Sequence, residues 1–416
     1  TGDGSSGSPY KTFHKAYTEA NAGDILSLTG TFTWTDADET GDTSNGYVIL
    51  KNITIQGNDG LATIQAATTS GTADRRVFEI SESNTVTLTS LIIQNGRTSS
   101  DGGGVKVSGR AYINNSVVQN NHSTNGNGGG IEVRGSLKIE NSQIDNNIAH
   151  YMGGGLNRSY YSGSGGIPGT NDLLDIINCT IAYNQVTQTV AYLEGGGVFY
   201  RRGSGSITNS TIVFNSVVNS SGTSTHGIGT GDSGSTVYLK NNIIALNITG
   251  DNWGGDLGYR ETSGRGLTDM GNNIFGKLGY YDNDITVASS SWLDRDSGYG
   301  SEDGTFTKAD GSNGSLSLDT SLAINESTNN TKTLKILNST SIAINNGSSE
   351  INNNISIPNL DQRGASRSGS VDIGAYEFDG PIPLIADVYT NSASGNDSTG
   401  DGSSGSPYKT FHKAYT

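Results

Sequence analysis

The chain has 416 residues, of which 32% are hydrophobic and 60 are glycine. That is too little apolar material for one large globular core, but enough for a narrow core along a long axis. A net charge of −15 and a pI near 4.7 argue against a nucleic-acid partner. The single cysteine, Cys179, rules out a disulfide framework within the chain, and no apolar run is long enough to span a bilayer as a helix.

In chain order, the first feature is a repeat. Residues Thr1–Thr18 and Thr399–Thr416 are identical, so Thr1 recurs at position 399 and the period is 398 residues. This reads as one unit of a tandem array, cut at an arbitrary point. A duplicated end of artificial origin is the alternative. Residues Ser8 to Asn21 predict a short capping helix. Ser8 stands at the N-cap, Pro9 at the first position, and Phe13, Ala16, Tyr17 and Ala20 follow helical spacing before Gly23. The helix would cover the open end of a solenoid, with His14 as packing rather than a ligand. Next comes an acidic stretch, Asp36, Asp38, Glu39 and Asp42. Its carboxylates suit a hard cation such as calcium, or form a solvated loop.

From Ile113 onward a shorter repeat runs through the chain. The pattern I-x-N-x-x-V-x-x-N occurs as Ile113-Asn115-Val118-Asn121. It returns at Ile139, Ile176, Ile207 and Leu239, each time ending on Asn147, Asn184, Asn215 or Asn247, with a looser forerunner at Leu88. Glycine triplets at 102–104, 128–130, 153–155 and 195–197 each precede an aliphatic residue. Short β-branched segments with period-two alternation, repeating every 26 residues or more, predict an all-β, right-handed parallel β-helix. About ten to twelve coils would span roughly 50–60 Å. The asparagine columns fit bends and hydrogen-bonded ladders, and the glycines fit bends that admit no side chain. Ligand binding is the competing reading for both.

Chemistry on such a solenoid calls for Asp, Glu, Lys or Arg breaking the repeat on adjacent coils. The I-x-N columns offer mainly Asn, Ser and Thr. Asp145 stands alone in a column with Gln119, Ala182, Val213 and Ala245, and Cys179 shares one with Ser116, Ser142 and Ser210. The expectation is therefore no catalytic residues, no enzyme and no resident cofactor beyond calcium. Tyr151, Tyr160 and Tyr161, in or beside the longest insertion, are the places where a glycan could stack.

Beyond the coils, Asp269–Tyr281 still reads as β, Ser289–Gly314 as a loop or insertion, and Gly380-Pro381-Ile382-Pro383 as a stiff linker before the next copy begins near Asp387. Residues 1–380 thus form the module, its first strand supplied by the preceding copy. Residues 381–398 are linker and start of the next copy, and 399–416 repeat 1–18. Asp397 and Asp401 make a second calcium candidate.

The ending Asp361-Gln-Arg-Gly-Ala-Ser-Arg367, then Val371-Asp-Ile-Gly-Ala-Tyr-Glu377, resembles the terminal signature of choice-of-anchor Q surface proteins. The Gly and I-x-N elements are similar to the repeats of polymorphic outer membrane proteins. The resemblance implies a right-handed β-helix, export to the cell surface and anchoring elsewhere in the polypeptide. It is also similar to giant tandem-repeat adhesins and appendages of Bacteroidota. The function expected is a structural or adhesive module of an extracellular fibre. Its partners would be neighbouring copies, surface glycans or other cells, and copies of itself in a bundle. A polysaccharide lyase or hydrolase, or a glycan-binding β-helix, is the alternative.

Overall fold

The computed structural model describes residues 2–159, 173–188, 195–218, 225–231, 235–247, 255–259, 266–278, 286–294, 305–325, 327–328, 330–350, 355–367, 369–378, 394, 396 and 398. The chain divides into two units, Thr1–Pro381 and Ile382–Thr416. Almost everything described lies in the first, which is a parallel β-helix.

Each coil contributes one short strand to each of three long sheets. Sheet 1 has nine strands, from Ile25–Leu28 to Leu267–Asp269. Sheet 2 has eight, from Tyr47–Ile49 to Gly255–Tyr259, and sheet 3 twelve, from Thr31–Thr33 to Asn313–Ser315. A five-stranded sheet 4 runs from Arg97–Thr98 to Ser216–Val217. Pairing is parallel except at the far end of sheet 3. Equivalent residues therefore stack, as Ala111 on Leu137 and Val118 on Ile144 do. The inward aliphatics, such as Ile55, Leu88, Ile113, Ile139 and Ile176, form one continuous buried core. Burial at about 25 cal/mol per Å² of apolar surface is the main force holding coil to coil.

The two asparagine columns divide the labour. Asn115, Asn141, Asn178, Asn209 and Asn241 take the left-handed backbone, with φ of 48 to 56°. The second column does not. Asn121 donates through Nδ2 to Asn147 Oδ1 at 3.0 Å, Asn147 to Asn184 at 3.0 Å, Asn184 to Asn215 at 3.0 Å and Asn215 to Asn247 at 2.9 Å. Each Oδ1 also accepts the main-chain N–H of the asparagine before it, and each Nδ2 reaches a carbonyl such as Ile93 O. The bend there falls one residue earlier, at Asn120, Asn146, Tyr183, Phe214 and Leu246. The glycine triplets turn between sheets 4 and 2. A Cβ on Gly103 would lie 2.3 Å from Gly129 O in the next coil, so only glycine fits.

The cap is shorter than the sequence suggested. The helix spans Phe13–Glu19, with Thr12 at its N-cap accepting from Lys15 N at 3.2 Å. Ser8 cannot start it, because its carbonyl already accepts the Asp3 and Gly4 amides. Glu39 instead accepts from Phe13 N at 2.6 Å and His14 N at 3.0 Å. Phe13, Tyr17, Trp34, Tyr47 and Phe78 pack as one aromatic plug over the first coil.

The far end also corrects the sequence reading. Among the described residues sheet 1 stacks nine strands and sheet 3 ten in parallel, the tenth being Trp292–Asp294. The stretch Ser289–Gly314, expected as a loop or insertion, supplies Trp292–Asp294, Thr305–Thr307 and Asn313–Ser315 to sheet 3, because Trp292 and Phe306 are buried. The remaining chain returns along the outside of sheet 3 and builds a second core. There Ile342, Ile373 and Tyr376 meet Ala182, Val213 and Ala245. The Asp361–Glu377 motif is the clasp of this strap. Arg363 pairs with Asp361 at 2.8 Å and Arg367 with Glu377 at 2.9 Å, all four buried. Thr180 Oγ1 donates to Gln362 Oε1 at 2.6 Å and Ala375 N to Thr211 Oγ1 at 3.0 Å, tying the clasp to the coils.

Candidate functional site

The columns that carry chemistry are those whose side chains leave the axis. In sheet 2 the outward position is the middle residue of each three-residue strand. Stacked in register there are Val48, Glu79, Lys106, Glu132, Asn157 and Phe199. Three successive coils thus place a carboxylate, an amine and a carboxylate one above another, about 4.8 Å apart.

Neighbouring residues complete a charged cluster. Glu79 holds Lys106 Nζ at 2.7 Å through one oxygen and Arg76 at 2.8 Å through the other. Arg76 is nearly buried and also donates to Ser100 Oγ at 2.6 Å and to the Asn45 and Asp101 carbonyls. Arg134 pairs with Asp101 at 2.7 Å. Its Nε lies 3.9 Å from Glu132 Oε1, which has no hydrogen-bond partner. The other oxygen of Glu132 accepts from Asn157 Nδ2 at 2.7 Å. Glu132 is fully buried, and burial pushes its carboxyl up to about 8, helped by the charge of Asp101 and opposed by Ser159, Asn157 and Arg134. At neutral pH this group is mainly a neutral donor.

Arg134 links the cluster to an open groove of about 360 Å³, lined with Arg110, Glu82, Asn84, Thr85 and Ser136, at the turn between sheets 2 and 1. Two guanidinium groups on its wall suit a carboxylated or sulfated chain lying across the coils. The sequence reading missed this site because it inspected the I-x-N columns, which serve the ladder. The signal was present one residue after each aliphatic that follows a glycine triplet, as Lys106 after Val105 and Glu132 after Ile131.

The other sequence candidates lie elsewhere. Asp38 pairs with Lys11, Asp42 accepts from Ser44 N at 3.0 Å, Glu39 caps the helix and Asp36 is exposed. Among the described residues, which include Asp36, Asp38 and Asp42, no three His, Cys, Asp or Glu side chains come together to hold a metal. Asp397 and Asp401 lie outside the described residues, as do Tyr160 and Tyr161. Tyr151 packs on His150 with ring centroids 4.4 Å apart and donates to Asn125 Oδ1 at 3.2 Å. Asn121, Asn147, Asn184, Asn215 and Asn247 are interior ladder residues. Cys179 is buried, its thiol pushed up to about 12 by desolvation, which makes it inert.

A pectate lyase has a similar fold. The crystal structure of pectate lyase Pel9A matches with a TM-score of 0.52 and 18% identity, over 90% of this chain and 92% of that one. No family model matches the chain, and no curated protein sequence matches it. Of the resemblance to choice-of-anchor Q and polymorphic outer membrane proteins, the parallel β-helix is the part that stands. The expectation of a non-catalytic module is overturned. A solved enzyme shares the architecture over nine-tenths of this chain, and charged residues do interrupt the repeat on adjacent coils.

Proposed function

We propose that this chain is an extracellular β-helix module directed at acidic polysaccharide, carried in tandem copies at a cell surface, with the charged face of sheet 2 as its site. The observation that carries the reading is the Glu79–Lys106–Glu132 column, flanked by Arg76 and Arg134. The reaction class is β-elimination on a uronate polymer. Arg134 and Arg110 neutralise the sugar carboxylate, which acidifies the adjacent C–H. Lys106 passes its ammonium proton to Glu79, 2.7 Å away, and the amine so formed takes the C–H proton. The C–H electron pair forms a C=C bond, the C–O bond to the leaving sugar breaks, and the leaving oxygen takes a proton from water. The pectate lyase fold supports this reading, and so does the placement of an amine between the Glu79 carboxylate and the neutral Glu132 carboxyl.

The 398-residue repeat favours an adhesive consequence of the same site. Identical copies in series multiply avidity for a polymeric ligand without any new contact. Neighbouring copies and surface glycans are then the partners.

The test is incubation with polygalacturonate and with other uronate polymers, following the ultraviolet absorbance of the unsaturated product and, separately, retention on the immobilised polymer. Lys106→Met should abolish product while retention persists. Arg134→Gln together with Arg110→Gln should weaken retention at least tenfold. Absence of both product and retention with every uronate polymer, in protein whose circular dichroism is intact, would refute the reading.

A further inference from the structure

Among the described residues the first coil has an open strand edge. Ile25–Leu28 and Thr31–Thr33 end sheets 1 and 3, each with a described neighbouring strand on one side. Beside them runs an open groove of about 820 Å³, floored by Leu26, Leu28 and Phe32 and walled by Ala16 and Ala20 of the capping helix. Ile25, on the outward side of the edge strand, is 59% exposed. Such an edge is a template for another strand, and proteins cover it unless something is meant to pair there.

The sequence names the occupant. Because Thr1 recurs as Thr399, Pro381–Ser398 is the segment that leads into each following copy. Within it, Leu384–Thr390 is a short run rich in apolar and β-branched residues, the composition of a strand, with Leu384, Ala386 and Val388 on one face and Ile385, Asp387 and Tyr389 on the other. The tether also fits. Asp3, Gly4, Ser5 and Ser6 lie on the rim of the groove, so on the tandem reading a preceding copy's segment would enter the module there.

We propose that Leu384–Thr390 of one copy adds as a parallel strand to Ile25–Leu28 of the next, with Leu384, Ala386 and Val388 facing the groove floor. The joint is then a shared sheet rather than a loose linker. A tether of about ten residues, equivalent to 391–400, supplies an effective concentration in the millimolar range, so a weak strand pairing suffices. The contact is head-to-tail, which extends into a filament instead of closing into a dimer.

The test uses the full chain carrying Val388→Pro and Tyr389→Pro, so that its own segment cannot donate. Both positions are changed because alternate amides of a strand face its neighbour. A synthetic peptide of residues 381–398 is added at millimolar concentration, and amide hydrogen exchange is read at Ile25–Leu28. The native peptide should slow exchange there at least tenfold, while a peptide carrying the two prolines should not. Unchanged exchange with the native peptide, or equal protection by the proline peptide, would overturn the proposal. Neither readout involves the charged face of sheet 2.

Discussion

Glu132→Gln separates the charge of the site from its shape. In the folded protein the Glu132 carboxyl is held near 8, against an ordinary value of 4.5. The folded state therefore keeps a proton that the unfolded chain releases, and stability from this group is greatest at low pH and lost as pH rises through about 8. Integrating the two titrations gives a loss of about 3 kcal/mol between about pH 6 and pH 9. Glutamine is isosteric, still accepts from Asn157 and cannot ionise, so the variant lacks that loss. The assay is urea unfolding of both proteins at the two pH values, comparing the differences so that other titrating groups cancel. Wild type should approach or fall below the variant at the higher pH after standing well above that relation at the lower one. Equal changes in the two proteins would show that Glu132 is solvated and already ionised, and would remove the basis for treating it as a neutral donor beside Arg134.

Two further substitutions probe what holds the site in place. Asn184→Ala removes the acceptor for both Asn147 N and Asn147 Nδ2, leaving buried donors unpaired, and should cost about 3 kcal/mol in urea unfolding. Asn184→Asp, which keeps the shape but sets an acceptor against Asn215 Oδ1, should cost no less, and a neutral result for either would mean the ladder contributes nothing. Arg367→Met leaves Glu377 buried without its ion partner and the Gly374 carbonyl without its donor, a loss of about 3–5 kcal/mol. Limited proteolysis should then cut within Asp361–Glu377 while hydrogen exchange at Ile113 and Ile139 stays slow, and cleavage no faster than wild type would show that the clasp is not held by this pair.

The coils were legible in the sequence because their signal is redundant. The same aliphatic and asparagine positions recur on every turn, so a few matches fix the period and the pairing. The strap was not. Its described residues between 316 and 378 fold against a surface that the chain has already built, and nothing local encodes that surface. The trace it leaves is in the partner. The outward column of sheet 3 reads Thr33, Gln65, Gln94, Gln119 and Asp145, then turns to Ala182 and Val213. The glutamines form their own amide stack at 2.8 Å per step, whereas Ala182 and Val213 lie under the strap. Asp145 is the last polar residue of this column and is already buried on a coil that the strap touches, where Lys332 N donates to Gln143 Oε1 at 2.8 Å. The helix start was misplaced for a similar reason, since Glu39, remote in sequence, supplies the cap.

The same logic locates function on a solenoid of this kind. Inward columns are bound by packing and the ladder column by its hydrogen bonds, so substitution there costs stability on both neighbouring coils. Outward columns carry no such constraint, and their residues are free to differ from coil to coil. Where an outward column turns apolar, as at Ala182 and Val213, another part of the chain covers it. Where it turns charged and partly buried at once, as at Glu79, Lys106 and Glu132, folding alone gives no account of it, because burying a carboxyl such as Glu132 with one oxygen unpaired lowers stability. A destabilising arrangement kept on adjacent coils and continuous with an arginine-lined groove is what a binding or catalytic face requires.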